Sequence, residues 1–431
     1  MKDRRDITEY CVEALRKAGL QKSECLLLDT LKDELNIDSG EISLLRTIDN
    51  TSLTLTGILD DKEGTISINK IDRQSIDDAV CKVLELAESS EADSANDISP
   101  AQPAAVFEKG PETADLDLMY SRMKDFMIYS GEHYPSLILK QAILDFMKIH
   151  KYYRNSNGVE LQSSRSCYSF IPVFVSKEGT EISSFNYAFF STTELERDLH
   201  EYGTINVLMN QSTEQIHSKE FQDKFDGDII ITPDCLGSFI NMIAMYLGDY
   251  PMIKGTSIFK DSLGREIADP QLTLHSMPLS DELAKNCFVT DDGFTARNST
   301  IISKGVLKSF LLSLYGANKT GETRSVSDGD AYVIDPGEYT LDEMTGSVDR
   351  GILLCRFSGS RPSESGDFSG VAKNSYYIEN GEVKYPVKEI MISGNLKSLL
   401  SNIKRISRER VNFGDSILPW IQAGDITIFG K

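Results

Sequence analysis

Near the N-terminus, Ile7, Tyr10, Cys11, Ala14 and Leu15 recur at helical spacing and predict an amphipathic helix. The period then changes. Residues 43–48 and 52–58 read as strands on either side of a turn at Asp49-Asn50, and residues 65–68 as a third strand after the turn residues 60–64. Residues 74–88 return to helical spacing, with Ile76, Ala79, Val80, Val83, Leu84 and Leu86 on the apolar side. Between residues 90 and 117 the patterning fades: seven acids, one lysine and three prolines stand among few large apolar residues, which predicts a linker or long loop.

Patterning resumes with helical spacing over 118–129 and 137–149, strands over 159–162, 166–176 and 181–190, and a helix from Thr193. This repeats the plan of the first unit, and Lys62-Glu63-Gly64-Thr65 is echoed by Lys177-Glu178-Gly179-Thr180. From about Gly227 a buried-strand pattern at 228–232 leads into a helix at 236–247. Short strands and glycine-rich turns then run to 426–429, interrupted by helical patterns at 307–314 and 396–408. Asn380-Gly381 supplies the two positive φ angles of a type I′ turn and predicts a hairpin over 376–392, with Gly394-Asn395 opening a helix. Helices and strands come in blocks, so the expected fold class is α+β: an N-terminal α/β unit (1–89), an acidic linker or loop (90–117), a central α/β unit (118–226) and a β-rich C-terminal domain (227–431).

The 431 residues carry 45 basic and 66 acidic side chains, a formal net charge of −21 that opposes capture of a phosphate backbone; no nucleic-acid partner is expected. Met1-Lys2-Asp3-Arg4-Arg5-Asp6 leads into a polar segment without an apolar leader, and the apolar run 239–247 is too short to span a bilayer. The expectation is a cytoplasmic protein without membrane contact. Seven scattered cysteines with no C-x-x-C pair fit reduced thiols.

Candidate chemistry is sparse. His133, His150, His200, His217 and His275 are never three, four or five residues apart, so no local imidazole pair exists. Cys235 stands at the start of a predicted helix, where the dipole lowers a thiol pKa. It is a weak candidate nucleophile, with Asp234 read as the N-cap and His275 as a base that the fold would have to bring near. The run 356–370 is rich in glycine, serine and arginine. Ser358, Arg361, Gly366 and Ser369 are its candidate peptide-binding residues, because glycines admit a close backbone and an arginine holds a carboxylate. Lys404, Arg405, Arg408 and Arg410 fall at the end of the predicted helix 396–408, where cations complement its dipole. Asp291-Asp292-Gly293 lacks the further carboxylates of a calcium loop and reads as a turn.

One ordered set of motifs is specific. Gly366-Asp367-Phe368-Ser369-Gly370, Ile378-Glu379-Asn380-Gly381-Glu382, Pro386-Val387 and Ile392-Ser393-Gly394-Asn395-Leu396 together resemble the C-terminal signature of the TldD/PmbA family, also described as modulators of DNA gyrase. In the TldD half of that family the resemblance implies a zinc peptidase with H-E-x-x-x-H on the helix after the strand that opens the C-terminal domain. Aligning Gly248-Asp249 places Phe239, Ile240 and Ala244 at those three positions, and no cysteine follows Cys355 to complete a site. The resemblance therefore implies a PmbA/TldE-like subunit without metal or cofactor. Its implied partner is a TldD-type H-E-x-x-x-H metallopeptidase subunit or a second copy of itself, in proteolysis or peptide maturation. The alternative is an independent hydrolase that uses Cys235 or a metal site assembled from distant residues.

Overall fold

The computed structural model describes residues 3–38 and 40–430. Helix α1 (Arg4–Lys17), capped by the Asp3 carboxylate, leads into a long hairpin of β1 (Lys22–Asp38) and β2 (Glu41–Leu59). Strand β3 (Lys62–Ile68) and helix α2 (Arg73–Ser89) follow. After β4 (Ala105–Lys109) the plan recurs: α3 (Leu116–His133), a second long hairpin of β5 (Leu137–Asn155) and β6 (Glu160–Glu178), then α4 (Ile205–Glu214). The two hairpins join by antiparallel pairing of β1 with β5, from Glu24↔Asn155 to Asp38↔Gln141, giving one sheet ordered β3-β2-β1-β5-β6-β4. Short strands Glu181–Ile182, Asn186–Tyr187 and Phe190–Thr192 add to β6.

Each half buries its own helices. Ile7, Cys11 and Leu15 of α1 and Ile76, Val80 and Val83 of α2 pack on Cys25, Leu27, Leu53 and Leu55. Met119, Met123 and Phe126 of α3 pack with Leu208 and Met209 of α4 on Leu144, Phe146, Phe170 and Phe174. The repeated plan is thus a repeat of topology. The matching tetrapeptides are not equivalent, because Lys62 begins β3 whereas Lys177 lies near the end of β6.

In the C-terminal half, strand Ile417–Phe429 lies at the centre of a second sheet. It pairs with Lys224–Ile231, Ile390–Asn395 and Ile403–Asn412 antiparallel and with Tyr332–Ile334 in parallel. Helix α5 (Pro233–Leu247) covers this sheet through Leu236, Phe239, Ile240, Ile243 and Leu247. Asn380 and Gly381 both adopt positive φ and turn the hairpin, which closes at Pro386; Ile390–Asn395 is a separate strand, and Asn395 caps helix Leu396–Ser401.

Several expectations need correction. Residues 137–149 are strand, not helix. A bulge between Leu139 and Gln141 puts Leu139 and Ala142, three apart, on one face, which imitates a helical step. The same imitation affects 396–408: bulges within strand Ile403–Asn412 give Ile403 and Ile406 their spacing. Lys404, Arg405, Arg408 and Arg410 therefore decorate a strand, where Lys404 meets Asp228 at 2.6 Å and Arg410 donates to the Ile334 carbonyl. Asp49 and Asn50 form no turn but pair with Leu31 and Thr30 inside a continuous β2. The helix expected from Thr193 begins only at Ile205, and 307–314 holds the end of a short strand, with a helix at Leu314–Thr320.

The acidic segment 90–104 has no helix or strand but is hydrogen-bonded to the C-terminal half. Asp93 accepts from Lys319 at 2.7 Å and Tyr315 at 2.9 Å, and Gln102 bridges Gly293 and Thr295. Gly414 (φ 81°) clasps the halves from the other side. A Cβ there would lie 1.9 Å from the Ser191 carbonyl, and the Ser191 N–H donates to Phe413 O at 2.8 Å.

Between the two long hairpins, Tyr153 donates to Glu24 at 2.6 Å, and burial pushes the Glu24 carboxyl up to about 7. The folded state therefore holds this proton more tightly than the unfolded chain, so its contribution falls as pH rises from about 4.5 to 7. Glu24→Gln keeps an acceptor for Tyr153 and removes the titration. Its stability relative to the parent is expected to improve by about 2 kcal/mol between pH 5 and pH 8 in urea unfolding. A pH-independent difference would contradict this assignment.

Candidate functional site

Helix α5 starts at Thr232, whose carbonyl accepts the first helical N–H groups, with Pro233 in the first turn. Asp234 is therefore not the N-cap. Its carboxylate accepts from Thr204 at 2.6 Å, and burial raises its pKa. The next residue, Cys235, is 2% exposed, and burial drives its thiol well above the usual range, so desolvation overrides the helix dipole. His275 is engaged elsewhere, with Thr300 at 2.9 Å and Asp335 at 3.1 Å. Nothing in this arrangement activates Cys235 as a nucleophile.

Further along α5, Phe239 is 1% exposed, with its ring 5.3 Å from that of Phe357 and 5.5 Å from that of Phe368. Ile240 is 2% exposed, and Ala244 is partly exposed. None of the three offers a donor atom. Among the described residues, no three His, Cys, Asp or Glu side chains gather closely enough to hold a metal ion. The positions that the resemblance aligns with a zinc motif do not fit zinc.

The glycine-rich run is a hairpin whose strands, Arg356–Gly359 and Asp367–Lys373, are joined by a turn. Gly359 faces Gly370, and a Cβ at either would strike the Phe357 ring at 2.4–2.6 Å. These glycines make room for an aromatic ring packed across the hairpin, not for a ligand backbone. The turn is closed from within. Ser363 and Ser365 bond to Asp367, Asn395 reaches Ser365 O and Asp367, and Tyr246 donates to the Ser363 carbonyl. Gly366 is buried with φ 89°, whereas Ser358, Arg361 and Ser369 are exposed. Strand Arg356–Gly359 pairs only with Asp367–Lys373 among the described residues, and Cys235 of α5 meets the Phe357 backbone, so its other edge is open only in part.

The start of that edge reaches a pocket of about 380 Å³ between the two halves of the molecule. Its walls come from Tyr187 and Phe189 of the central unit, the first turns of α5 with Ile240 and Asn241, residues 329–332, Arg356, and residues 413–418. Asp234, Asp330 and Asp415 contribute carboxylates whose pKa values burial raises, and burial lowers that of Arg356. Arg356 stacks 3.4 Å from the centre of the Tyr187 ring and donates to Asn186 at 3.0 Å and the Tyr187 carbonyl at 2.8 Å. No local motif announces this site, because its charged groups come from four separate segments. The only sequence cue was the position of Asp234 and Arg356 beside the α5 and hairpin motifs.

The family model for the PmbA/TldA metallopeptidase C-terminal domain matches residues 225–430. The chain is 26% identical over 278 residues to a zinc metalloprotease TldD homolog of Saccharolobus solfataricus, a match covering 60% of this chain and 61% of that protein. It is 30% identical over 193 residues to the metalloprotease PmbA of Escherichia coli, covering 42% of each. The chain thus spans about two fifths to three fifths of the length of these curated relatives. The crystal structure of TldE from Thermococcus kodakarensis superposes with a TM-score of 0.83 at 18% identity, covering 98% of this chain and all of that one, which shows a shared fold. The C-terminal half of the chain thus matches the C-terminal domain of the PmbA/TldD family, and its whole length shares the fold of TldE.

Proposed function

We propose that this chain is a PmbA/TldE-like, zinc-free subunit of a cytoplasmic metallopeptidase system, supporting proteolysis or peptide maturation by holding its partner and the peptide. The observation that carries the reading is the packing of Phe239, Ile240 and Ala244 into a helix face without a metal donor. The partly open edge at Arg356–Gly359 supports peptide contact. A strand added there gains main-chain hydrogen bonds without demanding a sequence, and Ser358, Arg361 and Ser369 stand exposed on the same hairpin. The partner on this reading is an H-E-x-x-x-H subunit, with a homodimer as the state in its absence. The rival reading, hydrolysis through Cys235, is opposed by that thiol's burial.

Metal analysis of the purified chain is expected to find no stoichiometric zinc and peptide assays no turnover. Adding an H-E-x-x-x-H homologue from the same organism is expected to give a mixed assembly in light scattering and activity that chelators remove. One tightly held zinc per isolated chain, lost together with activity on chelation, would overturn the proposal.

A further inference from the structure

Segment 90–104 crosses three parts of the molecule without a ladder of its own. The Asp93 N–H donates to the Asp61 carbonyl just before β3, while the Asp93 carboxylate accepts from Lys319 and Tyr315 of the C-terminal half. Asn318 Nδ2 donates to the Ala95 carbonyl at 3.0 Å, Lys22 of β1 meets Asp97 at 2.7 Å, and Gln102 bridges Gly293 and Thr295. Ala95, Ile98 and Ser99 are buried. Most of these ties are made by side chains, so the segment is a strap that can lift without breaking a sheet.

The strap meets the rest of the molecule at one phenol. The Tyr153 hydroxyl that donates to Glu24 at 2.6 Å also lies 3.3 Å from Ser99 Oγ and 3.4 Å from Asn155 Nδ2. Asn155 in turn donates to the Ser99 carbonyl at 2.8 Å and to its Oγ at 2.9 Å, and Asn157 donates to the same carbonyl at 3.0 Å. From the C-terminal half, Gly293 (φ 79°) lies so close that a Cβ there would overlap the Tyr153 phenol. The titratable groups that face Glu24 are Tyr153 from β5, Glu63 from β3 and Asp292 from the turn beside Gly293, and none of them is a base. Bases on the neighbouring elements are engaged elsewhere: Lys22 with Asp97 of the strap, Arg154 with Glu160 at 3.0 Å, and Arg324 with Asp292 at 2.7 Å.

We propose that segment 90–104 is a latch that stays closed while Glu24 is protonated and lifts when Glu24 ionises, admitting water to a charge that faces two other carboxylates and no base. The strap is the wall that yields, because β1 and β5 are held by a continuous ladder whereas the strap is held by side chains. Lifting unties Tyr315, Asn318 and Lys319 from the N-terminal unit, which they reach through Asp93 and Ala95. Burial raises the Glu24 carboxyl from 4.5 to about 7 in the closed form. A carboxyl held above its exposed value is relieved by exposure, so the open form gains as pH rises from about 4.5 to about 7 and gains no more above that.

Hydrogen exchange of the full chain, read by mass spectrometry over residues 93–104 and corrected for the intrinsic effect of pH on amide exchange, tests the latch. In the parent the opening equilibrium of this segment is expected to rise about tenfold between pH 6 and pH 8, the ratio set by a carboxyl that titrates at 4.5 when exposed and at about 7 when covered. Exchange around Phe146 in the middle of β5 is expected not to change. Glu24→Gln keeps an acceptor for Tyr153 without a charge, and its strap is expected to open less than the parent's and equally at both pH values. A parent strap whose opening does not change with pH would overturn the proposal. So would a rise in Glu24→Gln equal to the parent's, since the effect would then belong to another group.

Discussion

Replacing Phe239 by histidine, Ile240 by glutamate and Ala244 by histidine together is expected to destabilise the protein by about 5 kcal/mol and to create no tight zinc site. Most of the loss belongs to Phe239. Its ring is 1% exposed and meets Phe357 and Phe368 at ring-centre distances of 5.3 and 5.5 Å, so a smaller, polar imidazole forfeits about 3 kcal/mol of packing and leaves ring nitrogens without partners. Ile240→Glu turns a carboxylate toward a pocket that already holds Asp234, Asp330 and Asp415, where burial and like charge both disfavour it. Ala244 is partly exposed and accepts a larger side chain more readily. Against a total stability of about 5–15 kcal/mol, the triple change brings the native state close to its limit. Urea unfolding with zinc calorimetry measures both parts, and Phe239→Ala alone is expected to cost about 3–5 kcal/mol. A stable triple variant that binds one zinc would show that the α5 environment is a dormant metal site and not a packed core.

The contrast between α5 and its surroundings shows how far the sequence could be read. Helix α5 was legible because a strand, a proline and an unbroken apolar face follow one another, and the hairpin at Asn380-Gly381 because both turn residues need positive φ. The long strands were not. In β1, Lys32 and Glu34 occupy sites that a half-buried strand ordinarily fills with apolar or neutral groups, so the alternation is hidden by an ion-pair network. In β5 and in strand Ile403–Asn412 the bulges shift the phase of the buried positions, and a period of two then reads as three or four. The site divides along the same line. The aligned positions Phe239, Ile240 and Ala244 are contiguous and could be found by pattern. The pocket needs Asp330 and Asp415 brought to Arg356 by the sheet order, and spacing along the chain carries no trace of that.

Lys32→Met is expected to destabilise the protein by about 3 kcal/mol at neutral pH and by progressively less as the solution is acidified. The charge removed sits at the seam between the two hairpins. Lys32 Nζ lies 2.6 Å from Glu34 and 3.2 Å from Asp145, and these two carboxylates face each other directly in the β1–β5 ladder. Glu34 is 2% exposed and Asp145 7%, so water cannot replace the ammonium. Burial works against ionisation of Glu34, but hydrogen bonds from Lys32 and Asn36 outweigh it and hold its pKa below the usual range. At Asp145 burial prevails and the pKa is raised. Arg46 at 2.8 Å and Asn36 still serve Glu34 in the variant. The loss therefore falls mainly on Asp145, whose Oδ1 is already buried without a partner. Methionine keeps the volume of the lysine stem, which confines the change to charge. Without the ammonium both carboxyls bind protons more tightly in the folded variant than in the parent. The parent's advantage therefore shrinks as pH falls toward the carboxylate range and is largest above it. Urea unfolding of both proteins between pH 4 and 8 measures the gap. A difference below about 1 kcal/mol at neutral pH, or one that does not change with pH, would show that the two hairpins are held by their ladder and cores alone and that the buried charges are incidental to the seam.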